Sequence, residues 1–149
     1  MRLIMHQRQD IESPEVTLEY NELTESVKRV SDFVRTVDKS ISCRKDKDEY
    51  SVPVSDIYYV ESVDKKTFVY CKEEVYQSAN KLFELEEMLR GAGFVRVSKS
   101  VLLNIETLKS VKNLANSKLE AILSNGEKIC VSRKYLKDIR EVLIRRNEG

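Results

Sequence analysis

The sequence predicts a mainly β fold with a few helices, and three observations support this α+β class. Between residues 41 and 131, short runs of β-branched and aromatic residues recur, with charged or Asn-Gly turns between them. Three segments instead space their apolar residues three and four apart, as one face of a helix does. The chain has 149 residues, of which 41% are hydrophobic, so it can bury the core of one domain.

The first 40 residues predict a β-β-α extension. Residues 3–9 and 16–20 are strand-like runs on either side of a Ser13-Pro14 break, and Thr24 is placed to cap a helix that ends near Val37. The helix carries one apolar stripe, made of Val27, Val30, Phe33, Val34 and Val37. Such a stripe has to be covered by a sheet or by a partner chain. We therefore expect residues 1–40 to be packed and to serve in docking or dimerisation.

Residues 41–149 are predicted to form one domain of short antiparallel strands. A short helix around Leu85 stops at Gly91-Ala92-Gly93, the Asn125-Gly126 pair predicts a hairpin turn, and residues 133–146 predict a closing helix. The predicted strands are residues 41–44, 49–53, 57–60, 67–71, 74–78, 107–113, 119–123 and 128–131.

Residues 94–104 combine apolar strand residues with a basic, polar turn. Val95 and Val97 predict one strand, and residues 101–103 predict the next element. Ser98, Lys99 and Ser100 would then be displayed on a rigid base, which is typical of a binding site. An ordinary hydrophilic hairpin turn has the same pattern and is the alternative.

Composition argues against an enzyme and against a metal site. His6 is the only histidine, so the commonest metal ligand and the commonest general base are nearly missing. Cys43, Cys71 and Cys130 are far apart, with neither zinc-ligand spacing nor a disulfide framework. The four glycines form no phosphate-binding loop. We therefore expect no catalytic residues, no cofactor and no metal.

The sequence also predicts a cytoplasmic protein that does not insert into a membrane. No apolar run approaches the roughly 18 residues needed to cross a bilayer. The first residues lack the apolar core and cleavage site of a signal peptide.

Basic residues are concentrated towards the C-terminal end. Net charge is only +1, yet residues 94–149 carry 12 basic and 6 acidic side chains, against 6 and 8 in residues 1–40 and 8 and 11 in residues 41–93. A basic third on an otherwise acidic chain predicts a surface that faces a polyanion. Chance clustering on a solvated face is the alternative.

Three segments in register resemble the LytTR family, the DNA-binding output domain of many bacterial response regulators. The resemblance covers about residues 41–146 and includes the β-rich pattern between the segments. The segments are Ile57-Tyr58-Tyr59-Val60-Glu61-Ser62, then Phe94-Val95-Arg96-Val97-Ser98-Lys99-Ser100 leading to Leu103-Asn104, and Val131-Ser132-Arg133-Lys134-Tyr135-Leu136.

This resemblance implies an elongated fold of antiparallel strands that reads double-stranded DNA through loops. One loop enters a major groove and two neighbouring loops enter the next. Lysine and arginine bind phosphates or donate to guanine, and hydroxyls serve either role. The implied DNA-binding residues are Lys65, Lys66 and Thr67 in the first loop, Arg96, Ser98, Lys99 and Ser100 around the second, and Ser132, Arg133 and Lys134 in the third.

The sequence departs from the family in two respects. Members often have histidine or asparagine in the second loop and arginine at the position of Lys134, whereas Ser98, Lys99 and Lys134 stand here. Lysine lacks the planar fork that makes bidentate base contacts strong. The roughly 40 residues before the domain are too few for a phosphoacceptor receiver, so the sequence resembles a stand-alone regulator of this family.

The leading hypothesis is therefore a sequence-specific regulator of transcription that binds duplex DNA, with a homodimer and a regulatory protein as further expected partners. The alternative is a protein-interaction module that acts with a membrane-protein or regulator partner and binds DNA weakly or not at all. A position of Glu73, Glu74, Glu86 and Glu87 on the loop face would favour this alternative. A small hydrolase has no nucleophile–base pair to support it.

Three residues of the matching segments could have a structural role in place of a contact with DNA. Arg96 is open between a phosphate contact and an intramolecular ion pair. A structural hydrogen bond is favoured for Glu61, and a cap of the following turn is favoured for Asn104.

Overall fold

In the computed structural model the chain is described over residues 1–148, without the side chains of Ser117 and of residues 144–148. The helices of this part are α1 (Glu25–Val37), α2 (Leu82–Met88) and α3 (Leu136–Glu148). The strands are β1 (Ser40–Lys45), β2 (Asp48–Pro53), β3 (Ile57–Val63), β4 (Lys66–Cys71), β5 (Val75–Ser78), β6 (Phe94–Arg96), β7 (Val101–Asn104), β8 (Leu108–Asn113), β9 (Leu119–Leu123) and β10 (Lys128–Val131). The predicted mainly β class with a few helices is confirmed.

The strands form two antiparallel sheets. Seven strands are ordered β2-β1-β5-β4-β3-β7-β6, and three are ordered β10-β9-β8. Several neighbours are joined by tight hairpin turns, because the chain places turn residues between consecutive strands. In the β9–β10 hairpin, Gly126 has a φ of 90° and its amide donates to Leu123 O at 2.9 Å. The predicted Asn125-Gly126 turn is therefore confirmed.

The seven-stranded sheet separates two apolar cores. On one face, Val60 and Leu85 belong to a core that α2 covers. On the other face, Leu123 of β9 and Ile139 of α3 belong to a second core, which lies between the two sheets. Tyr58 and Tyr59 of β3 pack against this second core.

Strand β7 contributes to both cores at once. All four of its residues are buried. Leu102 belongs to the core beneath α2, whereas Val101 and Leu103 belong to the core between the sheets. Successive strand side chains point to opposite faces, so a strand in this position must be apolar throughout.

Asn104 ends β7 and ties it to the start of β3. Its Nδ2 donates to Ile57 O at 2.8 Å, and its Oδ1 accepts a hydrogen bond from the Glu106 amide at 3.1 Å. The side chain thus caps the 3₁₀ turn that follows, as predicted. Asn104 is only 5% exposed, so both of these bonds offset the cost of burying the amide.

The N-terminal extension is partly different from the prediction. Residues 3–9 and 16–20 are not strands in the structure, so both strand predictions are wrong. A strand requires a neighbour's backbone groups, and the described sheets do not pair with these residues. The predicted helix is confirmed as α1, with Thr24 Oγ1 accepting a hydrogen bond from the Val27 amide at 3.4 Å.

The apolar stripe of α1 is partly covered within the chain. Val27, Val30 and Val34 are half-buried, and α1 packs against α3 and the 3₁₀ turn Val54–Asp56. Phe33 and Val37 remain 57% and 51% exposed. Intramolecular packing therefore accounts for much of the stripe, and the docking or dimerisation role of residues 1–40 stays a prediction.

Replacing Asn104 by alanine is expected to lower the free energy of unfolding by about 2–3 kcal/mol, because the substitution removes two hydrogen bonds of a buried side chain, one to the Ile57 carbonyl and one from the Glu106 amide. Urea unfolding followed by circular dichroism measures the loss. Asn113→Ala, on the exposed end of β8, is the matched control and should change the value by less than about 0.5 kcal/mol. Equal effects of the two substitutions would contradict the anchoring role of Asn104.

Candidate nucleic-acid interface

The structure brings the three predicted loops together at one end of the seven-stranded sheet. Strands β3 and β7 are antiparallel neighbours, with Glu61 opposite Val101, so the end of β3 and the start of β7 lie side by side. The Ser62 amide donates to Ser100 O at 2.8 Å, which joins the first loop's strand to the second loop. The Ser132 amide donates to Val97 O at 2.9 Å, which joins the third loop to the second.

The first loop is a tight hairpin turn between β3 and β4. Val63 pairs with Lys66, which leaves only Asp64 and Lys65 between the strands, with φ values of 50° and 66°. Two positive φ angles define the turn type that suits the twist of a hairpin. Neither residue is glycine, so this conformation costs about 1 kcal/mol per residue. The first loop is therefore a two-residue turn whose conformation is set by the pairing of β3 with β4.

Two members of the first predicted loop belong to β4. Lys66 is exposed and occupies the first position of the strand. Thr67 is only 4% exposed and lies opposite Ser62 and Ser78 in the sheet. A side chain buried in this way offers little surface to a duplex, so burial does not favour the DNA contact of Thr67, which stays a prediction. Lys65 and Lys66 remain at the surface of this end.

The second loop is a compact turn held by its own serines. Ser98 Oγ accepts a hydrogen bond from the Ser100 amide at 3.2 Å and lies 3.4 Å from Ser100 Oγ. The Val97 amide donates to Val101 O at 3.1 Å and closes the turn. Both serines are half-buried and Lys99 is exposed. The lysine is therefore the side chain that this turn presents to solvent.

Arg96 supports the second loop from within the protein. Its Nη1 donates to Lys99 O at 2.5 Å and to Ser98 O at 3.3 Å. Its Nε lies 2.9 Å from Glu86 Oε2 of α2, an ion pair whose angles are not those of a hydrogen bond. Of the two alternatives for Arg96, the structure supports the intramolecular pair. The predicted direct DNA contact of Arg96 is not supported, because its guanidinium is engaged beneath the turn.

The third loop is the short connection between β10 and α3. Ser132, Arg133 and Lys134 are all exposed, and the Tyr135 amide donates to Ser132 O at 2.9 Å to form a 3₁₀ turn. Arg133 Nη2 donates to Asn116 O at 2.8 Å. Lys134 Nζ lies 5.6 Å from the centre of the Tyr135 ring, within cation–π range. Both cations are thus held close to the protein surface.

Two residues of this region could not be found from the sequence alone. Asn116, with a φ of 63° in the 3₁₀ turn after β8, supplies the carbonyl that holds Arg133. Glu86, ten positions before Arg96 on another element, pairs with that arginine. Each is distant in sequence from the group that it contacts. The positive φ favours asparagine or glycine, and this is the only signal that position 116 carries.

A group of aromatic and acidic side chains stabilises β3 and β4 behind the first loop. The rings of Tyr59 and Tyr70 are stacked with centres 4.3 Å apart, and the Tyr70 hydroxyl donates to Glu61 Oε1 at 3.2 Å. Burial and a hydrogen bond to Glu127 raise the pKa of Tyr59, and burial and Glu61 raise the pKa of Tyr70. Both hydroxyls therefore stay protonated at neutral pH. The favoured structural role of Glu61 is the one observed.

Among residues 1–148, no three His, Cys, Asp or Glu side chains are grouped so that they could hold a metal ion. The expectation that no metal or cofactor is required stays a prediction. The helices of the same part of the chain are too short or too polar to cross a membrane.

Comparison with known proteins connects this geometry to a family. A family model described as the LytTr DNA-binding domain matches residues 47–144. A solved LytTr DNA-binding domain, from a putative methyl-accepting/DNA response regulator of Bacillus cereus, superimposes with a TM-score of 0.66 at 28% sequence identity. The superposition covers 70% of this chain and 95% of that domain.

Three curated relatives illustrate the similarity in sequence. The sensory transduction protein LytT of Bacillus anthracis is 36% identical over 92 residues, which are 62% of this chain and 37% of that protein. LytT of Enterococcus faecalis is 31% identical over 94 residues, 63% of this chain and 39% of that protein. The transcriptional regulatory protein YpdB of Escherichia coli K12 is 28% identical over 105 residues, 70% and 43% of the two chains. The chain thus spans less than half the length of each.

Replacing Arg96 by lysine is expected to loosen the second loop, because an ammonium cannot contact both turn carbonyls and Glu86 with the same geometry. Hydrogen–deuterium exchange across residues 98–100 should become faster, and the free energy of unfolding should fall by about 1–3 kcal/mol. Arg90→Lys, which alters an exposed pair with Glu87, is the control and should leave both quantities unchanged. Unaltered exchange in Arg96→Lys would show that the turn is rigid without this arginine.

Proposed function

The chain belongs to the LytTR DNA-binding domain family, and on this premise we propose that it is a transcriptional regulator that recognises specific sequences in double-stranded DNA. The observation that carries the proposal is the junction of the three loops at one sheet end through the Ser62–Ser100 and Ser132–Val97 hydrogen bonds. The junction presents Lys65, Lys66, Lys99 and Lys134 from a rigid base, which is the arrangement that a duplex-binding surface needs.

The connections between loops support a division of the surface between two grooves. The second and third loops share a direct backbone hydrogen bond between Ser132 and Val97, so they would enter the same major groove as neighbours. The first loop projects beyond the last residue of β3, and its strand is joined to the second loop through the Ser62 amide. The first loop would reach the adjacent major groove, and the minor groove would lie between the first loop and the other two loops.

The distribution of acidic residues also favours DNA over the alternative of a protein-interaction module. Glu73 and Glu74 lie in the turn between β4 and β5, at the end of β4 remote from Lys66. Glu86 is paired with Arg96, and Glu87 is paired with Arg90. These carboxylates therefore do not oppose the lysines of the loops, and a phosphate backbone would meet net positive charge.

The lysines divide into two kinds by how their backbone is held. Lys99 lies in a turn whose carbonyls are fixed by Arg96, and Lys134 follows an arginine that is tied to Asn116. Fixed positions suit contacts with base edges, which require a defined geometry. Lys65 lies at the tip of a narrow hairpin and Lys66 follows it at the start of β4, and both exposed side chains suit contacts with phosphates. Arg133, Ser98, Ser100 and Ser132 would position these loops and contact phosphates.

We further propose that residues 41–149 form the DNA-binding domain and that residues 1–40 form a separate docking or dimerisation element. The exposed apolar side chains at the N-terminal end support the second role. This role adds a protein partner to the DNA-binding function and does not compete with it.

Lys99→Ala and Lys134→Ala are each expected to cost about 1–3 kcal/mol on the cognate duplex and to narrow the difference between cognate and scrambled DNA. The loss follows from removal of a donor to a base edge. Binding isotherms on a duplex selected from a random pool, and on its scrambled form, measure both effects. Unchanged cognate affinity in both variants would exclude these loops as the reading elements.

Lys66→Ala is expected to weaken binding to all duplexes alike and to reduce the slope of log K against log salt by about 1, because one phosphate contact is lost. Titrations at several salt concentrations measure the slope. Lys72→Ala is the matched control, since Lys72 follows the opposite end of the same strand β4 and is also exposed. An identical slope change in the two variants would mean that Lys66 contributes only through net charge.

A further inference from the structure

The N-terminal arm, residues 1–23, is an extended segment rich in uncovered apolar side chains. It precedes the Thr24 cap of α1 and forms neither helix nor strand in the structure. Val16 and Tyr20 are 60% and 55% exposed. Yet residues 15–20 alternate strictly, with Glu15, Thr17 and Glu19 on one side and apolar residues on the other, the pattern of a strand that lacks a partner.

Strand β8 has an exposed sheet edge six residues long, a length that β2 shares. It is the outer strand of the three-stranded sheet, and five of its six residues are exposed. The other outer strands suit an acidic arm less well. β2 carries Asp48 and Glu49, β6 has three residues beside α2, and β10 has four residues and leads directly into the third loop.

The backbone of β8 has hydrogen-bonding groups that point away from its sheet. The Leu114 amide donates to Lys118 O at 2.8 Å, so Leu114 and Lys118 are a hydrogen-bonded pair. The next pairs along the two strands include Asn113 with Leu119 and Val111 with Ala121. In an antiparallel ladder, hydrogen-bonded and non-bonded pairs alternate. The amides and carbonyls of Val111 and Asn113 therefore face outward, where an added strand would meet them.

The side chains of β8 match the two faces of residues 15–20. Val111 lies opposite Ala121, so it is on the face of the buried core, and it is still 36% exposed at the edge. Lys112 lies on the other face, opposite Glu120. An added strand could therefore extend the core with Val16, Leu18 and Tyr20 and place its carboxylates on the face of the lysine.

We propose that residues 15–20 of one chain add to β8 of a second copy of this chain as a fourth strand, and that the exchange is reciprocal. Charge supports this pairing, because residues 10–25 contain six acidic and no basic side chains, whereas β8 contributes Lys109 and Lys112. Opposite charges on facing strands stabilise a sheet, and a two-fold exchange makes the same contact twice.

The position of α1 brings the arm close to the edge strand β8. Arg29 of α1 lies 3.3 Å from Glu106, two residues before β8, so the arm leaves the domain close to this edge. The arm is nevertheless not paired with β8 of its own chain. Reciprocal exchange between two copies would satisfy both edges and form a closed dimer without a free strand.

Sedimentation of the full chain at micromolar concentrations tests the proposal. A dimer is expected, and Glu15→Lys with Glu19→Lys should weaken dimerisation by about tenfold or more, because like charges then face each other at both exchanged strands. Glu12→Lys with Glu22→Lys is the matched control, since it changes the charge of the arm equally but lies outside residues 15–20. A monomer, or equal weakening by both pairs of substitutions, would overturn the proposal.

Cross-linking distinguishes a second copy from the chain's own β8. One chain carries Leu18→Cys and another carries Val111→Cys, both with the exposed Cys130 replaced by serine, and a short bismaleimide is added after mixing. A covalent dimer of the two chains is expected. Cross-linking only within a chain that carries both cysteines would overturn the exchange.

Val111→Pro removes an amide that faces outward from β8. This substitution should abolish the dimer and leave the circular dichroism spectrum of the fold intact. A dimer that survives the substitution would also count against the proposal.

Discussion

Burial of β7 on both faces is the constraint on which the rest of the structure depends. Leu102 serves the core beneath α2, and Val101 and Leu103 serve the core between the sheets, so removing this strand would open both. A strand between two cores has no place for a polar side chain unless every polar atom is bonded, and Asn104 meets that condition. The turn before β7 is the nearest point where polar residues can reach solvent, and there Lys99 is presented.

Rigidity at this end of the sheet comes from polar contacts that the cores cannot provide. Arg96 contacts two carbonyls of the second loop, and Arg133 contacts one carbonyl beside the third. Hydrogen bonds from a charged donor contribute about 1.5–3 kcal/mol, comparable to the cost of the two positive φ angles in the first loop. Arginine therefore has a structural role in this surface, and lysine provides the charge that faces outward.

The sequence predicts most strand ends after residue 40 to within one or two residues, because β-branched runs and turn residues alternate there, although β3 extends three residues past its predicted end at residue 60. Side-chain direction is harder to predict. The family resemblance implies that Thr67 lies in the first loop, yet Thr67 is the second residue of β4 and its side chain is buried in the sheet. Successive side chains of a strand point to opposite faces, so Lys66 is exposed and Thr67 is buried. The role of Arg96 depends on Glu86, a contact between separate elements that local patterns do not contain.

The failed strand predictions at the N-terminal end have a different physical cause. A period of two shows which side chains a strand would bury, but it does not supply the neighbour that completes the backbone hydrogen bonds. Residues 15–20 have the period, and the chain's own sheets do not pair with them. Val111 and Asn113 have outward backbone groups and lack the added strand. The proposed exchange between two copies would complete both of these surfaces, and the period of two in residues 15–20 would then describe a contact between chains.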